Sequence, residues 1–349
     1  MVSINNHIKR NSSHELLRIL AMFCIVWYHL LSFYIYVYPH NSINDFLVEA
    51  IIPSLHVGVI LFVLISGFYG IKPSFRGFAK LLVITMVYFL PLQFIQLYME
   101  GRLSHPRAIL NSLMFITNTP YWFIRTYLYL YLCAPLVNTF IKSSSQKQTN
   151  VLLFILGVIS VYFGTTQGDP SLSDGKNLVN FLFLYLLGYT TRYYQKQIQR
   201  ISTLYYLVAY IVLNTSIITT LLSFKRGTLI GDGIWQLIFP YCSPILILNA
   251  TLLFVVFSRI TLNSKFVNVV ASSMFAVYLL HCHPAIMQVY IPEVCEWINT
   301  SSVGLFVYSM AVSILLMVVS VLVDKALIPL WNLRDTIIVR IQERFNVDE

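Results

Sequence analysis

Long apolar runs separated by short polar clusters recur along the whole chain. A helix needs roughly 20 mostly apolar residues to cross the hydrocarbon of a bilayer. On that measure the pattern predicts helices near residues 16–38, 47–70, 77–99, 121–141, 150–166, 178–194, 203–222, 235–257, 267–290 and 303–328. Two of them, YWFIRTYLYLYLCAPLVN and LVNFLFLYLLGYTTRYY, are aromatic-rich and short or polar for a span. The expectation is an all-α polytopic integral membrane protein of about ten transmembrane helices. It forms a single domain over residues 1–349, with a helical core at about 14–330 and short tails. Sizeable loops are expected only near 100–120, 167–177 and 223–234, and no repeat or low-complexity segment breaks the pattern.

Composition agrees: 57% of the 349 residues are hydrophobic, 11% are charged, and mean hydropathy is +0.72. The first apolar run has no small-residue cleavage site after it, so it reads as a retained helix. Assigning helix ends alternately to two sides gathers most of the 23 lysines and arginines on one side, among them Lys9, Arg10, Arg18, Lys72, Arg76, Lys80, Lys142, Arg192 and Lys325. The other side holds Arg102, Arg107, Lys176, Lys225 and Arg226, with Arg125 inside a helix. Basic residues concentrate in cytoplasmic loops, so both termini are expected in the cytoplasm. The net charge of +9 is then a topological signal, and no basic tract suits a nucleic-acid partner. The five cysteines show no C-x-x-C spacing and read as small core hydrophobes.

Four clusters carry possible chemistry. Arg18 and His29 lie eleven residues apart on the first helix, which returns both to one face about 16 Å apart along the axis. Arg18 reads either as a snorkelling interfacial residue or as part of a site. His29 falls near mid-membrane, where an imidazole is costly and suited to take a proton from a hydroxyl. His56 reaches a comparable depth from the opposite side, so it either flanks the same cavity or satisfies a separate hydrogen bond. Ser66, Gly67 and Gly70 follow it, and the glycines read as helix contacts. Arg76 and Lys80, one turn apart, are either positive-inside anchors or, with Arg18, an anion site for a phosphate-bearing donor. Tyr278 and His281 share a face, as a hydrogen-bonding pair for a substrate or as a buried polar link between helices. His281 and His283 are about 200° apart on a continuous helix and cannot jointly chelate an ion, so no metal centre is expected.

These residues resemble a known family. The R-x10-H helix, Phe62, Ser66, Gly67 and Phe68 as F-x-x-x-S-G-F, and Tyr278 to His281 as Y-L-x-H are similar to the acyltransferase-3 family. So is the stretch carrying Trp122, Tyr127, Leu128, Tyr131, Leu132 and Pro135, and the resemblance spans about residues 14–330. It implies a bacterial inner-membrane O-acyltransferase, moving an acyl and often an acetyl group from cytoplasmic acyl-CoA to a hydroxyl of a surface carbohydrate. Acyl-CoA is a substrate here, and no bound cofactor is implied. By position, His29 corresponds to the family's essential histidine and Arg18 to its partner. Arg76 and Lys80 fall where the family often has R-x-x-R, but the spacing here is R-x-x-x-K. Ser66 joins the donor-binding set, while His56, Trp122, Arg125, Tyr127, Tyr131, Tyr278 and His281 are assigned to the cavity and acceptor. No hydrolase-like extension is expected. The rival readings are a saccharide or lipid-linked glycan transporter, since intramembrane His, Arg and Tyr also line transport paths, and a polysaccharide polymerase, which a long outer loop would mark.

Overall fold

The computed structural model describes residues 11–37, 43–116, 120–166, 170–224, 226–298 and 301–345. Lys9, Arg10 and Lys225, used above to assign sides, lie outside the described residues. Every regular element among them is helical. The chain begins with α1 (Ser12–Val37), α2 (Ile43–Leu55), α3 (Val57–Tyr69), α4 (Phe75–Met99), α5 (Pro106–Leu113), α6 (Trp122–Ser143) and α7 (Gln146–Val158). A π-helical turn at Ile159–Phe163 joins α7 to α8 (Gly164–Thr166), followed by α9 (Leu178–Tyr193), α10 (Gln195–Ile198), α11 (Thr203–Ser223), α12 (Leu229–Ile238) and α13 (Pro244–Ser258). The last third holds α14 (Lys265–Ala271), α15 (Met274–His281), α16 (Pro284–Ile298), α17 (Ser302–Ala326) and α18 (Ile328–Phe345). Helix starts fall where a short polar side chain can accept from a free first-turn N–H: Asn11 from Ser13, Ser74 from Gly77, Asn177 from Asn180.

Six helices are long and apolar enough to span a membrane: Ser12–Ile35, Ile43–Tyr69, Phe75–Met99, Gln146–Thr166, Thr203–Ser223 and Ser302–Ala326. A seventh is the pair Lys265–His281 and Pro284–Glu296, bent by 78°. Among the described residues, the count by length and composition is therefore six or seven, against the ten expected. α6 and α9, whose sequences are short or polar for a span, do not qualify, and α13 is apolar but shorter than a full crossing.

Two expected helices are broken, and proline accounts for one break in each. The segment 235–257 divides at Phe239–Ser243, where Pro240 and Pro244 remove two N–H donors. Ser243 N turns to the Pro240 carbonyl, so the Phe239 carbonyl is left for another donor. The segment 267–290 divides at Ser272–Ser273 and again before Pro284. The span Ile43–Tyr69 is continuous but kinked. Pro53 lies within its first half, and His56 N reaches back only to the Pro53 carbonyl, one residue short of α-helical register. The C-terminal tail, expected to be short, forms α18.

The Ile43–Tyr69 span is the centre of the bundle: 83% of its apolar stretch is buried, against 11% for Thr203–Ser223 on the periphery. α9 crosses it at very close range. A Cβ on Gly67 would collide with the Tyr185 carbonyl, and one on Gly188 with the Leu64 carbonyl. Small residues are what allow such backbone contact between membrane helices.

A buried carboxylate ties the other side together. Asp324 of α17 accepts from the Tyr88 hydroxyl at 2.9 Å, Ser273 Oγ at 2.6 Å and Trp331 Nε1 at 3.2 Å, so it joins α4, the start of α15 and α18.

Gly67→Ala is expected to destabilise the detergent-solubilised protein by about 1–3 kcal/mol, read as a lower thermal midpoint in size-exclusion melts, because backbone and not a flexible side chain must move. Asp324→Ala is expected to cost about 1–3 kcal/mol for each hydroxyl it orphans, measured the same way. Midpoints equal to wild type would contradict both.

Candidate active site

The first helix presents Arg18, Met22, Ile25 and His29 at helical spacing along one stripe, and that stripe forms a wall of a cavity of about 360 Å³. Val59, Phe62 and Ser66 of α3 oppose it, with Leu81 of α4 and Trp122, Phe123 and Tyr127 of α6. Ala271, Ser272, Met274, Phe275 and Tyr278 close it from α14 and α15, and Tyr241 from the break between α12 and α13. The volume is at the lower end for a small-molecule site. Six of the residues expected from sequence line it together: Arg18, His29, Ser66, Trp122, Tyr127 and Tyr278.

His281 lies behind His29. Its Nδ1 is 2.6 Å from the Val277 carbonyl, an acceptor only, so this nitrogen bears the proton of the neutral ring. Nε2 of His281 then holds a lone pair, and it is 3.0 Å from Nδ1 of His29. His29 must donate from Nδ1, which leaves its own lone pair on Nε2. Two hydrogen bonds in series therefore select one tautomer of the imidazole that lines the cavity. Cys282 Sγ sits beside both rings, 3.3 Å from His29 Nδ1 and 3.1 Å from His281 Nε2. These three donor atoms form the group among the described residues best arranged to hold a metal ion. His283 takes no part: the helix ends between the two histidines, and His283 Nδ1 accepts from Ala285 N at the start of α16.

At the other end, Arg18 Nη1 contacts both carboxylate oxygens of buried Glu15, at 3.0 and 3.1 Å. The arginine is thus held in place and partly neutralised, rather than snorkelling freely. Ser66 Oγ donates to the Phe62 carbonyl at 2.9 Å and stands 3.3 Å from the Tyr127 hydroxyl, which fixes both side chains on the cavity wall.

The remaining expected residues lie elsewhere. His56 is buried but outside the cavity lining. It donates from Nδ1 to the freed Phe239 carbonyl at 2.7 Å and stacks on Tyr241, so it braces a lining residue. Tyr131 both accepts from Ser74 N and donates to Ser74 O, which locks the start of α4. Arg125 is partly exposed in the first turns of α6 and does not line the cavity. Arg76 and Lys80 do not join Arg18 there either. Lys80 Nζ is 2.6 Å and Arg76 4.0 Å from Asp335 of α18, which Arg334 also contacts at 2.7 Å. Burial pushes the Asp335 carboxyl up, but hydrogen bonds from Lys80 and Arg334 outweigh it and hold the group below the usual carboxylate range. It is a charged counter-ion at neutral pH.

Sequence reasoning missed Cys282, Glu15, Tyr241 and Asp335. Glu15 carried a signal, since it sits one turn before Arg18 on the same helix face. Cys282 is adjacent to His281 but was placed among inert core residues. Tyr241 reaches the cavity only because the helix breaks beside it.

A family model described as an acyltransferase domain matches residues 11–324, which contain every element of this cavity. No curated protein and no solved structure matches the chain. With the match covering nearly the whole described bundle, the chain belongs to the acyltransferase 3 family.

Proposed function

We propose that the protein is a membrane O-acyltransferase of the cell membrane that moves an acyl group, acetyl foremost, from cytoplasmic acyl-CoA to a hydroxyl of a surface or exported carbohydrate. In this reading both termini are cytoplasmic, and α6, α9, α13 and the bent pair α14–α16 complete ten crossings with the six long spans. The observation that carries the proposal is the tautomer selection at His29: a ring with its lone pair on Nε2 lines a cavity that runs to Arg18 at the basic end.

The donor's phosphates stay at the mouth and its thioester arm extends along the α1 stripe. Arg18 binds Glu15 through one terminal nitrogen, and the rest of its five-donor fork remains for an anion. The acceptor hydroxyl gives its proton to His29 Nε2 as its oxygen attacks the thioester carbonyl. Collapse of the tetrahedral intermediate breaks the C–S bond, and the CoA thiolate leaves with the proton returned from the imidazolium. His281 holds His29 in the reactive tautomer and is a positioning residue. Trp122 and Tyr278 supply flat surfaces suited to a sugar ring, and Lys176 lies over the Trp122 ring at 5.9 Å.

The test is transfer of label from radiolabelled acetyl-CoA to cell-surface glycan in membranes. His29→Ala, shown to be correctly inserted, is expected to lower transfer by about 100- to 10,000-fold. His281→Ala should lower kcat while leaving the KM for acetyl-CoA unchanged, a split that general unfolding would not produce. Arg18→Ala should instead raise that KM by roughly 10-fold or more. Full activity in His29→Ala would remove the base from this histidine. Glycolipid flipping that depends on His29, without any label transfer, would give the cavity to the transporter reading.

A further inference from the structure

His29 Nδ1, His281 Nε2 and Cys282 Sγ form a triangle with sides of 3.0, 3.1 and 3.3 Å. Around a tetrahedral zinc ion, with Zn–N near 2.0–2.1 Å and Zn–S near 2.3 Å, such atoms lie roughly 3.3–3.6 Å apart. The triangle needs only a few tenths of an ångström of expansion to admit one. As a hydrogen-bonded set the trio offers more donors than strong acceptors. His281 Nε2 offers one lone pair, and both the His29 Nδ1–H and the Cys282 S–H are within reach of it. The sulfur can relieve this only by accepting from His29 Nδ1–H as a weak acceptor, whereas a cation at the centre uses a lone pair from each of the three atoms. The support expected behind a metal-bound histidine is already present, because His281 Nδ1 donates to the Val277 carbonyl at 2.6 Å. His281 is buried, His29 lines the cavity wall, and Cys282 is partly buried, so the group sits directly behind the cavity.

We propose that these three residues bind a thiophilic divalent cation of the zinc and cadmium class, and that occupation switches the cavity off. On binding, the Cys282 thiol loses its proton to solvent and the sulfur bonds the metal. The His29 proton moves from Nδ1 to Nε2, so its Nδ1 lone pair becomes a ligand. One proton is released for each ion bound, and no redox change occurs. His29 then faces the cavity with an N–H where the base was. Metal binding stands independently of the acyl-transfer reading, and only its effect on catalysis rests on that reading.

Purified full-length protein in lipid nanodiscs is titrated with Cd²⁺ and followed by the ultraviolet thiolate-to-cadmium charge-transfer band. Wild type should show a saturable band at one equivalent, with one proton released per ion and displacement by Zn²⁺. Cys282→Ser should lose the band and Cys133→Ser should keep it. Should Cys282→Ser fail to fold, His281→Gln serves, with an expected weakening of at least about tenfold. A wild-type protein without a saturable band, or a band that survives in Cys282→Ser or is undiminished in His281→Gln, would overturn the site. Saturable binding that leaves acetyl transfer untouched would keep the site and overturn the role of His29 as base.

Discussion

Hydrocarbon offers no hydrogen-bond partner, so each polar group inside the bundle must be satisfied by the protein itself, and this requirement accounts for most of its internal architecture. His14 bridges the Tyr69 hydroxyl and Ser258 Oγ, at 2.7 and 2.9 Å, and so ties α1 to α3 and α13. Asp324 collects donors from three other elements. These groups link helices because no solvent competes for them. The cavity occurs where such satisfaction has a direction: each ring behind it is fixed by a carbonyl, and the last ring in the series keeps one lone pair for a ligand.

One of these carbonyls, that of Phe239, comes from a broken helix, while that of Val277 lies within α15. Proline removes an N–H and leaves an acceptor unpaired, and in a membrane that acceptor must be met by a side chain. The break at Pro240 frees the Phe239 carbonyl, which His56 takes, and the same break brings Tyr241 to the cavity wall. The bend before Pro284 ends α15 at His281, and Cys282, its αR C-cap, lies beside His29 at that end. Irregular backbone in a membrane protein is tolerated where it is enclosed by protein or lines a cavity, and both breaks obey that rule.

This explains what was legible in the sequence. The Arg18–His29 stripe lies within one unbroken helix, so periodicity alone places both residues on the cavity wall. The same holds for Tyr278, whose helix is intact from Met274 to His281. The contact between His29 and His281 spans 252 positions and depends on the packing of separate helices, which no local pattern encodes. The count of ten rests on hydropathy and on the distribution of basic residues, and a sliding apolar count gives no weight to the breaks at Pro240 and before Pro284 that interrupt 235–257 and 267–290. The pairing of Arg76 and Lys80 with Asp335 was hidden for another reason: the tail lies beyond the expected helical core, and its helix supplies the counter-ion.

The compensated cations at the basic end bear on how an anionic ligand would be held. A bare arginine at the mouth of an apolar cavity would carry a desolvation cost in the empty protein, and Glu15 offsets it. An arriving phosphate would therefore exchange with or join an existing carboxylate contact instead of meeting an unpaired charge. The same applies at Asp335, where three cations share one carboxylate and leave a net positive patch. Exchange of this kind lowers the net gain on binding, because part of the new interaction replaces an old one. On the acyl-CoA reading proposed above, a site that releases a phosphorylated product as readily as it takes up a phosphorylated donor gains turnover over retention from modest net affinity at the mouth.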